Sequence, residues 1–282
     1  MPLCQLKKKF LNYLSSSEPR TLTLNLCIRV TDLDSIIYAC FLSLLAGLGT
    51  SLGGIIIIIT GKMREKFLDF SMGLASGVML TVAFLNLIGK ALDMNVGYYI
   101  VALGFVIGAA SIMILDAKIP HIFSFEEYGA EKELLVKTGL LVAIGITLHN
   151  VPEGLAVVAG YAYLPNLGYL IALAIALHNI PEGIATATPL YAAGMRSGKV
   201  FIITFLSGLA EPLGALIGSF MLTSPSQFVL ALMLACAGGV MTYVTADELI
   251  PTAHTHGHKH DVAIGLIVGF TLILILTSAF GL

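Results

Sequence analysis

Charge is scarce in this 282-residue chain: Asp, Glu, Lys and Arg make up 11% of it, against about 25% in an ordinary soluble domain. With 57% hydrophobic residues and a mean hydropathy of +0.93, the composition argues against a water-exposed globular domain and for a chain that lives in lipid. There is no basic excess either. A formal net charge of -2 leaves no cationic face to neutralise phosphates, so no nucleic-acid partner is expected. Cys4, Cys27, Cys40 and Cys236 lack CxxC spacing, which indicates neither a disulfide framework nor a thiolate zinc site. No GxxxxGK[ST] phosphate loop occurs, and no resident cofactor is implied.

What the chain does have is long apolar runs. Eight stretches, 36–60, 67–92, 97–115, 136–160, 168–192, 200–222, 228–250 and 262–281, each come near the ~20 residues that span a bilayer as a helix. The expected fold is an all-α membrane protein of eight transmembrane helices in one domain, 36–282, behind a polar N-terminal tail, 1–35. The tail carries Lys7, Lys8 and Lys9 but no adequate apolar core and no small-residue cleavage site, so a removable signal peptide is not expected. The connections are short, Tyr161 to Leu167 for example, except Asp116 to Leu135. Gly73, Gly77, Gly104 and Gly108 form small-xxx-small pairs that read as close helix packing.

Inside two of the spans lie copies of one hexapeptide, His149-Asn150-Val151-Pro152-Glu153-Gly154 and His178-Asn179-Ile180-Pro181-Glu182-Gly183. A charge at the centre of a membrane helix costs about 2.5–3.5 kcal/mol on the lenient insertion scale, so Glu153 and Glu182 need a partner. Each follows a His by four residues and therefore shares its helical face, one turn on, while the Asn joins from the flank. Each Pro removes an N–H and frees the carbonyl one turn back, at Leu148 and Leu177, which predicts a bend with an inward-facing oxygen. Consecutive spans run in opposite directions, so the copies sit on antiparallel helices. That implies an inverted repeat about an axis in the membrane plane, with the metal site on the fourth and fifth helices.

A third intramembrane carboxylate, Glu211, stands in Gly208-Leu209-Ala210-Glu211-Pro212-Leu213-Gly214. Three such carboxylates repel one another unless cations or protons balance them, and two divalent ions bring +4 against -3, which makes a binuclear site plausible. Imidazole, amide and carboxylate donors suit zinc, iron(II), manganese or cobalt better than copper(I). A membrane metalloenzyme is the alternative from another class. A zincin requires His-Glu-x-x-His, and a di-iron carboxylate bundle requires Glu-x-x-His; neither occurs here, so no enzyme is expected.

The tandem HNVPEG and HNIPEG, the following GLAEPLG and the eight-span layout resemble the ZIP (Zrt/Irt-like protein) family of divalent metal-ion transporters, particularly its bacterial ZupT-like branch, from about residue 36 to 282. The resemblance implies that His149, Glu153, His178 and Glu182 hold one ion. Asn150, Asn179 and Glu211 would hold a second, with the two hexapeptide glutamates bridging. Met79 resembles a second-span Met beside the first ion, and Asn86 the polar position at the outer entrance. His178 and Asn179 stand where some members have Gln and Asp, which takes a negative charge from the second ion's shell. The resemblance further implies movement of the fourth and fifth spans against a static scaffold, and import of Zn2+, with Fe2+, Mn2+, Co2+ and Cd2+ as further candidates, into the cytosol down a gradient. Sequence leaves open an exporter or a metal-selective channel, and assembly as a homodimer.

Orientation follows the cations. Lys62, Arg64, Lys66, Lys118, Lys132, Lys137, Arg196, Lys199 and Lys259 fall at the odd-numbered connections and Lys90 at the others, so the odd connections are expected in the cytosol and both termini outside a cell (inner) membrane. Lys7 to Lys9, Arg20 and Arg29 in the tail oppose this assignment. The seventh connection is read as Asp247-Glu248-Leu249-Ile250-Pro251 followed by His254, His256, His258 and His260. It is either a cytoplasmic exit station for metal or a solvated His-rich tract that binds metal adventitiously. The third connection, where ZIP proteins more often carry histidines, offers only His121.

Overall fold

A computed structural model describes residues 33–118, 130–221 and 226–282. The tail residues Lys7 to Lys9, Arg20 and Arg29, together with Cys4, Cys27 and His121, lie outside them. Apart from the turns between them, the described residues form helices, as lipid requires of a backbone that must satisfy its own N–H and C=O groups.

Among the described residues, eight helices are long and apolar enough to cross a membrane. They are α1 (Leu33–Thr60), α2 (Glu65–Asp93), α3 (Tyr98–Lys118), α4 (Ala130–Tyr163), α5 (Pro165–Ala192), α6 (Ser197–Gly208, resuming as Ala210–Met221 after a turn at Leu209), α7 (Gln227–Ala253) and α8 (Lys259–Ala279). Two of them contain a π-helical stretch, Val82–Ile88 in α2 and Thr245–Leu249 in α7. The ends obey local chemistry. Gly61 and Gly194, at φ +70° and +83°, close α1 and α5 in the left-handed conformation that glycine adopts without penalty. The Ser226 hydroxyl accepts from the Val229 amide at 3.3 Å to start α7.

The expected loop Tyr161 to Leu167 is corrected to a single residue. Leu164 is extended at φ -155° because it precedes a proline, and Pro165 opens α5 at a position where its missing N–H costs nothing. Pro152 and Pro181 lie inside continuous helices.

The helices pack as two bundles. In the first, α1 lies against α5 and α6, and α4 lies against α5 and the second half of α6; in the second, α2 pairs with α8 and α3 with α7. Glycine sets the distances. A Cβ at Gly154 would meet the Glu211 carbonyl oxygen, and one at Gly183 that of Thr50. The sequence-read pairs behave likewise in the second bundle, with Gly73 against Val262, Gly77 against Leu266 and Gly108 against Cys236. The bundles meet chiefly where α2 faces α5 and α4 faces α7.

Candidate metal centre

The hexapeptides face each other across the α4–α5 contact, with Glu211 at the start of the second half of α6. None of His149, Asn150, Glu153, His178, Asn179, Glu182 or Glu211 is more than 5% exposed. Glu153, His178 and Glu182 offer ligand atoms all within 4.8 Å of one another, the only such cluster among the described residues.

One contact defines its chemistry. His178 Nδ1 lies 3.1 Å from the Ala174 carbonyl, which can only accept, so Nδ1 carries the hydrogen. A neutral ring then turns its Nε2 lone pair toward Glu153 Oε1, 3.2 Å away. Two acceptors face each other at a separation close to the roughly 3.3 Å that N and O ligands keep around a tetrahedral zinc ion. A proton or a cation between them makes the contact attractive. Glu153 Oε2 is buried without a hydrogen-bond partner, as a second ligand oxygen would be.

The amides flank this cluster. Asn179 Nδ2 donates to the Ala46 carbonyl at 3.2 Å and to Glu211 Oε1, while Asn150 Nδ2 donates to the Ser207 carbonyl at 2.9 Å. With their NH2 groups so committed, Asn150 Oδ1, Asn179 Oδ1 and Glu211 Oε2 are left as buried oxygens without partners. Such an oxygen-rich set suits a hard or borderline cation.

His149 departs from the expected grouping. Its Nε2 lies 3.3 Å from Glu248 Oε2 on α7, outside the three-residue cluster. Gly145, Leu148, His149, Ile112, Asp247 and Glu248 contribute to a cavity of about 20 Å3, room for one water-sized occupant. Asp247 and Glu248 are therefore not in the seventh connection. They lie in the π-helical stretch of α7, where the wider turn interrupts the regular helix at a site of polar contact.

The outlying candidates are placed as follows. Met79 is fully buried, with Sδ 3.7 Å from Thr245 Oγ1 of α7. Asn86, also buried, donates from Nδ2 to Thr277 Oγ1 of α8 at 3.2 Å and lines a cavity of about 420 Å3 with Lys90 and Asp93. His254 turns Nδ1 back to the Ile250 carbonyl at 2.8 Å, and His260 is exposed in the first turn of α8. His256 and His258 are held by Asp69 of α2. Sequence reasoning missed Asp69; its one signal was an acidic residue just inside the apolar run of the second span.

Eight apolar helices with a buried imidazole–carboxylate cluster of ligand-like spacing define a multi-span membrane protein. The family model for "ZIP Zinc transporter" matches residues 127–277. Among relatives, a zinc transporter ZupT from Chlorobaculum parvum is 39% identical over 259 residues, covering 86% of this chain and 96% of its own length. The ZupT of Chlorobium chlorochromatii is 37% identical with 86% and 97% covered, and that of Streptococcus mutans 37% identical with 84% and 95% covered. The chain belongs to the ZIP family, a family of transporters and not of enzymes.

Proposed function

We propose that this protein carries Zn2+ across a cell membrane into the cytosol, using the Glu153–His178–Glu182 cluster as the first ion's site. The observation that carries this reading is the lone pair of His178 aimed at the Glu153 carboxylate in a setting sealed from water. His149 completes the shell when it turns from Glu248. Asn150, Asn179 and Glu211 hold a second ion, with Glu153 and Glu182 bridging; the orphaned oxygens on all three flanking residues support this. Fe2+, Mn2+, Co2+ and Cd2+ fit the same donors. All ligands come from one chain, so the site does not depend on a homodimer.

Movement is proposed to be of the first bundle against the second. Support comes from the glycines: within each bundle several of them, such as Gly47, Gly77, Gly154 and Gly183, set backbone against backbone, whereas Gly145 of α4 faces Glu248 of α7 at an ordinary contact distance of 3.5 Å. Packing so close cannot slide, and packing through side chains can. An ion leaving the cluster passes His149, Glu248 and Asp247 toward the end that carries His254 to His260, which the cation distribution makes cytosolic, with both termini outside. Met79 borders the path, and Asn86 with the Lys90–Asp93 pair marks the opposite mouth.

Uptake of radioactive zinc into proteoliposomes tests the reading. Glu182→Gln keeps the shape of the side chain and removes its charge, and is expected to abolish uptake while the protein still elutes as a folded species. Uptake at the wild-type rate would remove Glu182 from the site.

A further inference from the structure

Asp69 stands near the start of α2 with its side chain 1% exposed and, among the described residues, no Lys or Arg salt bridge. Its partners come from the far end of the chain. His256 Nδ1 lies 2.7 Å from Oδ1, His258 Nδ1 lies 2.9 Å from Oδ2, and the His258 amide donates to Oδ2 at 3.3 Å. An ionised carboxylate has no hydrogen to give, so both Nδ1 atoms are the donors. Each ring, when neutral, then has its lone pair on Nε2. A carboxylate that fixes the tautomer and angle of an imidazole in this way also raises its basicity as a metal ligand.

The two rings are 31% and 25% exposed, so they reach solvent while their anchor does not. The other two histidines of the tract do not share this arrangement, since His254 is turned to its own backbone and, among the described residues, the ion pairs of Asp69 are with His256 and His258. His258 also lines a cavity of about 420 Å3 with Lys62 and Arg64 from the α1–α2 connection and Glu65 and Lys66 from the first turn of α2. Those cations repel a bound dication and shorten its stay. Asp69, His256 and His258 do not form a closed three-ligand cluster, the 4.8 Å grouping being confined to the intramembrane residues.

We infer that His256 and His258, oriented by Asp69, form an open, low-affinity transfer site for a first-row divalent ion, with Nε2 of each ring as a ligand and water completing the shell. Its role as the last station before the cytosol rests on the transport reading; its capacity to bind metal does not. The tract is thus a scaffolded pair and not a loose run of imidazoles. Asp69 is a positioning residue, acting through the rings.

The test uses the full-length chain in detergent with Glu153→Gln and Glu182→Gln, so that the pore cluster is disabled, titrated with Co2+ and read by its visible d–d absorption. One weak site is expected. His256→Gln with His258→Gln, which keep a donor toward Asp69, should remove it, and Asp69→Asn should weaken it by about 10–100-fold, the usual effect of losing an orienting partner. An unchanged Co2+ titration in the double Gln variant overturns the proposal, as does an unchanged affinity in Asp69→Asn. Loss of zinc uptake by the wild-type protein with the Co2+ site intact would count against the transport reading alone.

Discussion

The two bundles treat buried polar groups in opposite ways. In the second bundle each is satisfied close by: Ser76 donates to the Met72 carbonyl, Thr81 to Gly77, Thr245 to Met241, and Asn86 pairs with Thr277. In the first, Ser43, Thr50, Ser51, His149, Asn150, Glu153, Asn179, Thr186 and Glu211 each keep a buried side-chain atom without a partner. Among the described residues every such atom belongs to α1, α4, α5 or α6. Native interiors leave few polar atoms unpaired, and those left usually mark chemistry. The second bundle thus has the character of a scaffold, and the unpaired oxygens of the first include those that the proposed ion sites would use.

That contrast can be broken experimentally. The largest effect is expected at the cluster. Glu153→Gln should lower zinc uptake by more than the roughly 100-fold that marks the upper end for an orienting residue, because it removes a ligand and not its support. Thr81→Val, an equally buried change in the scaffold, should leave uptake within a few-fold; a reversal of this order, measured in the same vesicles, would erase the distinction between the bundles.

Next comes motion across the seam. Leu74 of α2 and Leu177 of α5 line one groove between the bundles. Cysteines at both positions, bridged by a bifunctional thiol reagent in a background without Cys4, Cys27, Cys40 and Cys236, should stop uptake while unbridged protein continues. Continued flux in the bridged protein would mean that the bundles need not move. A pair bridged within one bundle, between α1 and α5, should be harmless.

Within a bundle the close helix approach itself can be tested. Gly77→Leu in α2 and Gly154→Leu in α4 both force a side chain against a facing carbonyl and should each destabilise the fold by about 1–3 kcal/mol or more, read by thermal unfolding in detergent. Acidification is the mildest probe. Carboxylates and imidazoles bind metal deprotonated, so protons compete for the same lone pairs and apparent zinc affinity should fall as pH falls. Affinity rising on acidification would contradict carboxylate ligation.

Much of this was legible in the sequence, for identifiable reasons. Eight spans could be read because a backbone in lipid has little alternative to a helix, and the pattern needs only length and hydropathy. The hexapeptides stood out because Glu153 and Glu182 are costly where they lie, and the cost is repeated. Residues whose meaning depends on meeting a distant partner were not legible. Glu248 read as loop because the π-helical stretch that turns it toward His149 leaves no local signature. Asp69 drew no reading, since its partners stand 187 and 189 residues away. Leu164 showed the opposite error: a stretch of seven residues was assigned to a turn that one extended residue before Pro165 accomplishes.

The most direct measurement is anomalous diffraction at the zinc absorption edge from zinc-loaded crystals of the protein. The account predicts a principal peak between the side chains of Glu153, His178 and Glu182, absent when both glutamates are Gln. A principal peak away from α4 and α5, or one that survives both substitutions, would contradict it.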